Sequence, residues 1–376
     1  MLNQQDAFHM VLEGPELTTP HAQFSRFHRY LFGLNVTTSG SYNVTLLHYA
    51  TNYDAVREME ENSPRSGTRL LMQSYPVELT AVPESSVATG LCSRTAANSG
   101  SFQRIASHPL PRTLKKSAHR MRPYAWTPHC AYDQRFYNHE NDTCFRQNRS
   151  VLFLGDSQAR ETYVLLRKRL AGDTMAVPVA TRNPRAKYVF GNEEEAHLEI
   201  AWMEDDFLDR LRDIEFLDAY DSVVVDVGHA CLGIKTEKGG LWKMAFFQQH
   251  IRNIFGSLSG YNKQRSRRGL KAMQILFLGI QSIGICEDAD PERCPKLGMY
   301  AGWRTPDRMR IANQVAREAH ASNPTFMEEI QFLDGFDWTS PWILDAFDGL
   351  SFVGTPGLSA LVDEVLHRLN LCSMGS

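Results

Sequence analysis

A chain of 376 residues exceeds what one ordinary core serves, and suggests one large domain with a smaller one. Hydrophobic residues at 43% and charged residues at 22% exclude a disordered chain, and a net charge of -3 gives no global field toward nucleic acid or an anionic membrane. No run approaches the roughly 20 apolar residues that span a bilayer, and the start, MLNQQDAFHM, lacks a basic end leading into an apolar stretch. The expectation is therefore no membrane span, no signal segment in this chain and no nucleic-acid partner.

Residues 1–98 read as a small antiparallel β-sandwich of the immunoglobulin-like or filamin-like kind. Segments 41–49 and 68–79 are rich in β-branched and aromatic residues and are bounded by turn formers. Asn-x-Ser/Thr triplets at Asn35, Asn43, Asn141 and Asn148 suit a chain that passes through the secretory pathway, placing it in the lumen or outside the cell. Seven cysteines are too few for a disulfide scaffold. Cys130 with Cys144 and Cys286 with Cys294 each bracket a short polar loop as bridges do, although buried thiols are the alternative. Cys92, Cys231 and Cys372 have no obvious neighbour.

Residues 99–123 shift to Ser, Pro and basic residues, including Pro109-Leu-Pro-Arg-Thr-Leu-Lys-Lys, and read as a solvated linker. From residue 124 to 376 the pattern is α/β. Val151-Leu-Phe-Leu-Gly155 reads as a buried parallel strand, with Tyr163, Leu166 and Leu170 at helical spacing behind it. Further strands are expected at 222–227 and 274–280, and helices at 204–218, 241–258 and 306–321. The acidic stretch 193–218 reads as a solvated helical face. Alternating strands and helices imply a parallel sheet whose ligands sit beyond the carboxyl ends of the strands. Ser157, His229 and Ser282 fall at such ends.

A serine directly after a buried strand and at the start of a helix presents its hydroxyl at the sheet edge and its N–H near the positive helix end. Gly155 permits close backbone approach, and Asp156 orients the turn. The context is Trp126-Thr-Pro-His-Cys130, then Cys144, the strand, Gly155-Asp156-Ser157 and Arg160. This pattern resembles the PC-esterase group of SGNH (GDSL-type) hydrolases, related to the trichome-birefringence-like glycan O-acetyltransferases, over about residues 124 to 370.

The resemblance implies a flavodoxin-like three-layer fold and acyl-ester chemistry on sugars or lipids, with Ser157 as nucleophile. Oxyanion donors would come from the Ser157 backbone and the Gly228-His229 loop, and Arg160 would be a pocket residue. The family's Asp-x-x-His falls on Asp348-Gly-Leu-Ser351, so the histidine position holds serine. Serine cannot take a proton near neutrality, whereas histidine, with a pKa of about 6.5, can. His229 is the candidate substitute base, with a structural or substrate-binding role as the alternative. His367 reads as a surface or core residue of a closing helix. Trp303, Trp338, Trp342 and Phe347 should border the same edge, as sugar platforms or as core plugs.

No phosphate loop, GxGxxG, His-Glu-x-x-His or CxxC occurs, so neither a cofactor nor a metal is expected. Two functions remain. One is an esterase or O-acetyltransferase acting on a glycan or other acyl ester. The other is a catalytically inactive pseudoenzyme that binds carbohydrate or a protein partner, which Ser351 favours.

Overall fold

The computed structural model describes residues 5–20, 22–25, 29–53, 65–81, 91–93, 100–105, 123–130, 149–170, 185–190, 198–203, 211, 213–227, 232, 244–284, 305–343, 345–346, 352 and 355–370. The amino-terminal part consists of β1 (Gln5–Glu13), β2 (Glu16–Thr18), β3 (Ala22–Ser25), β4 (Arg29–Phe32), β5 (Gly40–Tyr53), β6 (Arg65–Leu79), β7 (Gly100–Arg104) and β8 (Tyr124–Pro128). Six of these strands form an antiparallel sheet in the order β6-β5-β1-β2-β7-β8, and β3 pairs with β4 apart from it. The β3–β4 ladder meets β1 where the Tyr30 ring stands edge-on to Phe8, with centroids 4.5 Å apart. Strand alternation splits the apolar residues between two faces. Leu12, Tyr42 and Val44 gather around Val36, while Val11, Leu17, Phe102 and Tyr124 enter a core shared with the α/β part.

Strand β7 lies inside the span 99–123, and residues 106–122 are outside the described set. β7 is held on one side by β2 and on the other by β8, which comes from the segment expected to open the α/β domain. The β7–β8 ladder sets Gly100 opposite Pro128, so the chain entering β7 and the chain leaving β8 meet at one end. There Cys92 is disulfide-bonded to Cys130, 38 residues away. This corrects the pairing expected from sequence: Cys130 is bound to Cys92 and not to Cys144. Cys144, Cys286 and Cys294 lie outside the described residues. Closing a loop of that length restricts the unfolded chain by about 4 kcal/mol in the entropic treatment. Cys92→Ala is expected to lower unfolding stability by about 2–4 kcal/mol, measured by denaturant titration. Identical curves for variant and wild type would contradict this.

The α/β part contains β9 (Arg149–Gly155), α1 (Ser157–Leu170), β10 (Arg185–Phe190), β11 (Leu198–Met203), α2 (Ile214–Asp218), β12 (Ser222–Asp226), α3 (Met244–Arg267), β13 (Gln274–Leu278), α4 (Pro306–Ala321), α5 (Pro324–Glu329), β14 (Ile330–Leu333), α6 (Gly335–Thr339), a 3-10 turn (Ser340–Trp342) and α7 (Pro356–Leu369). Its sheet order is β10-β11-β9-β12-β13-β14. β10 is an antiparallel edge and the other strands run parallel. Strand alternation again divides the core. Leu152, Leu154, Val223, Val225, Ile275 and Phe277 face the layer of α2, α3 and α4. Val151, Phe153, Val224, Leu276 and Leu278 face α1 and α7. Of the helix expected at 204–218, the structure shows 214–218, which starts where the Asp213 side chain accepts the Phe216 N–H. α4 and α7 each begin with a capping threonine followed by proline, Thr305-Pro306 and Thr355-Pro356.

Opposite the carboxyl edge of the sheet, Asp218 accepts hydrogen bonds from the Arg268 guanidinium and from the Tyr261 hydroxyl. These two donors, Arg268 foremost, hold its carboxyl down at about 2 from the ordinary 3.8. A depressed carboxylate stabilises the fold above its unfolded pKa, and that contribution is lost as pH falls through the folded value. The window here runs from about pH 4 down to about pH 2. Because the side chain is one-quarter exposed, solvent screening trims the effect to about 1 kcal/mol. Asp218→Asn is expected to unfold at lower urea at pH 7, with the gap to wild type narrowing toward pH 3. An unchanged gap across that range would contradict the assignment.

Candidate active site

Numbered along the chain, the parallel strands β9, β11, β12, β13 and β14 lie in the spatial order 2-1-3-4-5. The first strand therefore connects to one side and the third lies on its other side. The crevice beyond the carboxyl ends of β9 and β12 is the switch point at which such sheets bind ligands. The last ladder pair there is Gly155 opposite Asp226. A Cβ added to Gly155 would sit 2.5 Å from the Asp226 carbonyl oxygen and closer still to the Ala159 Cβ, so glycine lets strand, partner strand and helix converge.

Asp156 caps α1: its Oδ1 accepts the Gln158 N–H at 2.8 Å, and its carbonyl accepts the Arg160 N–H at 3.1 Å. Ser157 thus occupies the first position of the helix, at the edge of the crevice, and is half-buried. Its N–H is among the first-turn donors that have no intrahelical partner. Arg160 is half-buried one turn further along.

Asp226 is a fully buried carboxylate at the end of β12. Gly228 and His229, which follow it in sequence, lie outside the described residues, as do Asp348 and Ser351. After β13 the segment from Gly279 to Gly284 is buried beside this edge. Asn313 of α4 clasps it, accepting the Ile280 N–H at 2.8 Å and donating to the Ile280 carbonyl at 2.6 Å. Ser282 is fully buried and belongs to this support, not to the open edge.

The tryptophans resolve into core. Trp342 is fully buried and edge-on to Phe102, and Trp338 packs at 4.1 Å on Trp126. Both join the α/β part to the amino-terminal sheet, so neither offers a free stacking face. Trp303 and Phe347 lie outside the described residues. His367 is buried, and its Nε2 lies 3.1 Å from the Ser93 carbonyl. It stands at the opposite end of the sheet from Ser157, since the carbonyl of Leu369 two residues later accepts from Arg149 at the start of β9. Asn35 and Asn43 are exposed, and Asn141 and Asn148 lie outside the described residues. Among the described residues no group of His, Cys, Asp or Glu is arranged to hold a metal, and no helix is long and apolar enough to cross a membrane.

Sequence reasoning passed over Gln158, Asp226, Gln281 and Thr339, all buried within reach of this edge. Asp226 carried a signal, because a carboxylate directly after the run Val223-Val-Val225 in a buried strand is anomalous. The others carried none.

No protein-family description and no curated protein sequence matches the chain. Solved structures that align with it include one described as an acetyl xylan esterase, AlAXEase, which is 13% identical, covers 57% of this chain and 97% of its own, and has a TM-score of 0.34. Another, described as the mammalian SRP receptor, is 13% identical, covers 50% of this chain and 90% of its own, and has a TM-score of 0.23. Likenesses of this strength assign no chemistry.

Proposed function

We propose that the chain is a serine acyl-ester hydrolase or O-acetyltransferase-like protein of the PC-esterase kind within the SGNH hydrolases, acting on glycan esters. The observation that carries the reading is Ser157 at the first position of α1, on the switch-point crevice, after a glycine that only close strand approach explains. The 2-1-3-4-5 order supports a flavodoxin-like sheet. The β3–β4 ladder against β1 supports an immunoglobulin-like amino-terminal sandwich, whose sheet takes in β7 and β8, so that the amino-terminal unit reaches past the expected boundary at 98 and through the span 99–123, and the α/β unit starts at β9. The Cys92–Cys130 disulfide and the exposed Asn35 and Asn43 support the secretory lumen or the cell exterior.

In this reading the Ser157 Oγ attacks the acyl carbonyl, its proton passes to a base, and the sugar alcohol leaves with a proton as the ester C–O bond breaks. Water or an acceptor hydroxyl then takes the acyl group from Ser157. Negative charge on the carbonyl oxygen is met by N–H groups of the first turn of α1 and of the Gly228 segment. Asp348 orients the base, His229 is the base at hand, and Arg160 borders the pocket. The second reading, a carbohydrate- or protein-binding pseudoenzyme, is favoured by Ser351 at the position where the family carries histidine.

Restoring that histidine separates the two. Ser351→His is expected to raise hydrolysis of a small acetyl ester by about 10²–10⁴-fold, the usual yield of a positioned base. No rise, together with no fluorophosphonate label on either form, selects the pseudoenzyme.

A further inference from the structure

Resting on that reading of Ser157, we infer that a buried relay, Thr339–Ser282–Gln158, positions the nucleophile turn and that Thr339 and Gln158 are positioning residues of the site. Gln158, next to Ser157, is almost fully buried. Its Oε1 accepts the Gln281 N–H at 3.3 Å and its Nε2 donates to the Ser282 carbonyl at 3.5 Å. The helix start is thereby tied at two points to the segment after β13. A third tie runs one turn along: Gln281 Nε2 donates to Thr162 Oγ1 at 3.3 Å, and Thr162 Oγ1 donates to the Gln158 carbonyl at 3.1 Å.

The far end of the relay is fixed more tightly. The Ser282 N–H donates to Thr339 Oγ1 at 2.7 Å, and that hydroxyl donates to the Gly335 carbonyl at 2.8 Å. Thr339 is fully buried on α6, whose first residue, Gly335, abuts Gly279 so closely that any side chain there would overlap the Gly279 carbonyl. α6 in turn is wedged against the amino-terminal sheet, through Trp338 on Trp126 and through Thr19 Oγ1 at 3.2 Å from Ser340 Oγ. Every member of the relay is out of water, so a lost partner is not replaced by solvent and the geometry is enforced. An α1 start set from beneath keeps the Ser157 hydroxyl and its N–H in fixed register, where a shift of an ångström costs about 10²-fold in rate.

The test uses the full chain and two readouts. Thr339→Val keeps shape and removes the acceptor for Ser282, Thr339→Ser keeps the hydroxyl, and Gln158→Met keeps length without either bond. Amide hydrogen exchange is followed by mass spectrometry, and the rate of Ser157 modification by a fluorophosphonate is split into its saturating rate and half-saturating concentration. Thr339→Val and Gln158→Met should speed exchange in the peptide covering 156–160 as well as in that covering 280–284. They should also lower the saturating labelling rate about 10-fold or more with the half-saturating concentration unchanged, and Thr339→Ser should restore both. Faster exchange confined to 280–284 overturns the relay. A chain that takes no label in either the wild-type or the Ser351→His form overturns the esterase reading instead, and the exchange of 156–160 still decides the relay.

Discussion

Ser157→Ala is expected to leave the fold intact, to remove all covalent labelling at the crevice and, in the Ser351→His background, to erase the ester turnover which that substitution confers. The size follows from how such groups act. Nucleophile and base work as one unit, so loss of either removes nearly the whole covalent route, on the order of 10⁶-fold in a complete site. What survives is the effect of N–H donors and binding, about 10³–10⁴-fold over water. In the chain as it stands, with serine at the position where the proposed family carries histidine, the loss shows chiefly as vanished label. In the histidine background it shows in turnover, and the double variant should match Ser157→Ala alone. That non-additivity distinguishes a nucleophile–base unit from two independent contributions. Because Ser157 is half-buried at a helix start capped by Asp156, its Oγ carries no core packing, and the melting temperature should hold. Unchanged labelling in the variant, measured by in-gel fluorescence, would remove Ser157 from the chemistry.

Gly155→Ala is the second large effect, and here stability and reactivity should fall together. The added methyl meets the Asp226 carbonyl oxygen at 2.5 Å on one side and the Ala159 Cβ on the other. Neither neighbour is the flexible end of a side chain. One is the backbone of the paired strand and the other sits on the first turn of α1, so relief requires β9 and β12 to part or α1 to lift. Overpacking of this kind costs about 1–3 kcal/mol, and more where backbone must move. A loss of about 3 kcal/mol lowers the melting temperature of a domain this size by roughly 6–12 °C. The displaced helix start should slow Ser157 labelling in the fraction that stays folded. Ala159→Gly in the same chain should recover part of the stability, since it removes one of the two obstacles, and calorimetry of the three variants tests the ordering. A Gly155→Ala protein as stable as wild type would show that the convergence of β9, β12 and α1 is looser than described.

Much of the sheet was legible because buried parallel strands are written as unbroken apolar runs. Val151 to Leu154, Val223 to Val225 and Ile275 to Leu278 are core strands, and each run is closed by a glycine or a polar residue. Ser157 at a helix start was legible from the same logic of strand, glycine and capping aspartate. The amino-terminal sheet was harder. β7, Gly-Ser-Phe-Gln-Arg, has one buried apolar residue, Phe102, in a span dominated by Ser, Pro and basic residues. Its strand character comes from the two neighbours it pairs with, not from its own composition. The same pairing brings Cys92 to Cys130, whereas sequence proximity favours Cys144. Trp338 and Trp342 read equally as sugar platforms or as core plugs, because the sequence around them carries no periodic apolar pattern. They are buried by a sheet more than 200 residues earlier in the chain, and no local pattern announces such a contact. Gln158, Gln281 and Thr339 are ordinary polar residues whose partners lie across crossovers, so only the fold reveals them as a connected group.

The account stands on Ser157 being a reactive hydroxyl at the β9–β12 crevice, and the most direct measurement is to map the fluorophosphonate adduct by peptide mass spectrometry in the wild-type and Ser351→His proteins. A single adduct on the peptide that begins at Ser150, located on Ser157 and forming faster in the histidine form, is the predicted result. An adduct on any other residue, or none in both forms, would contradict it.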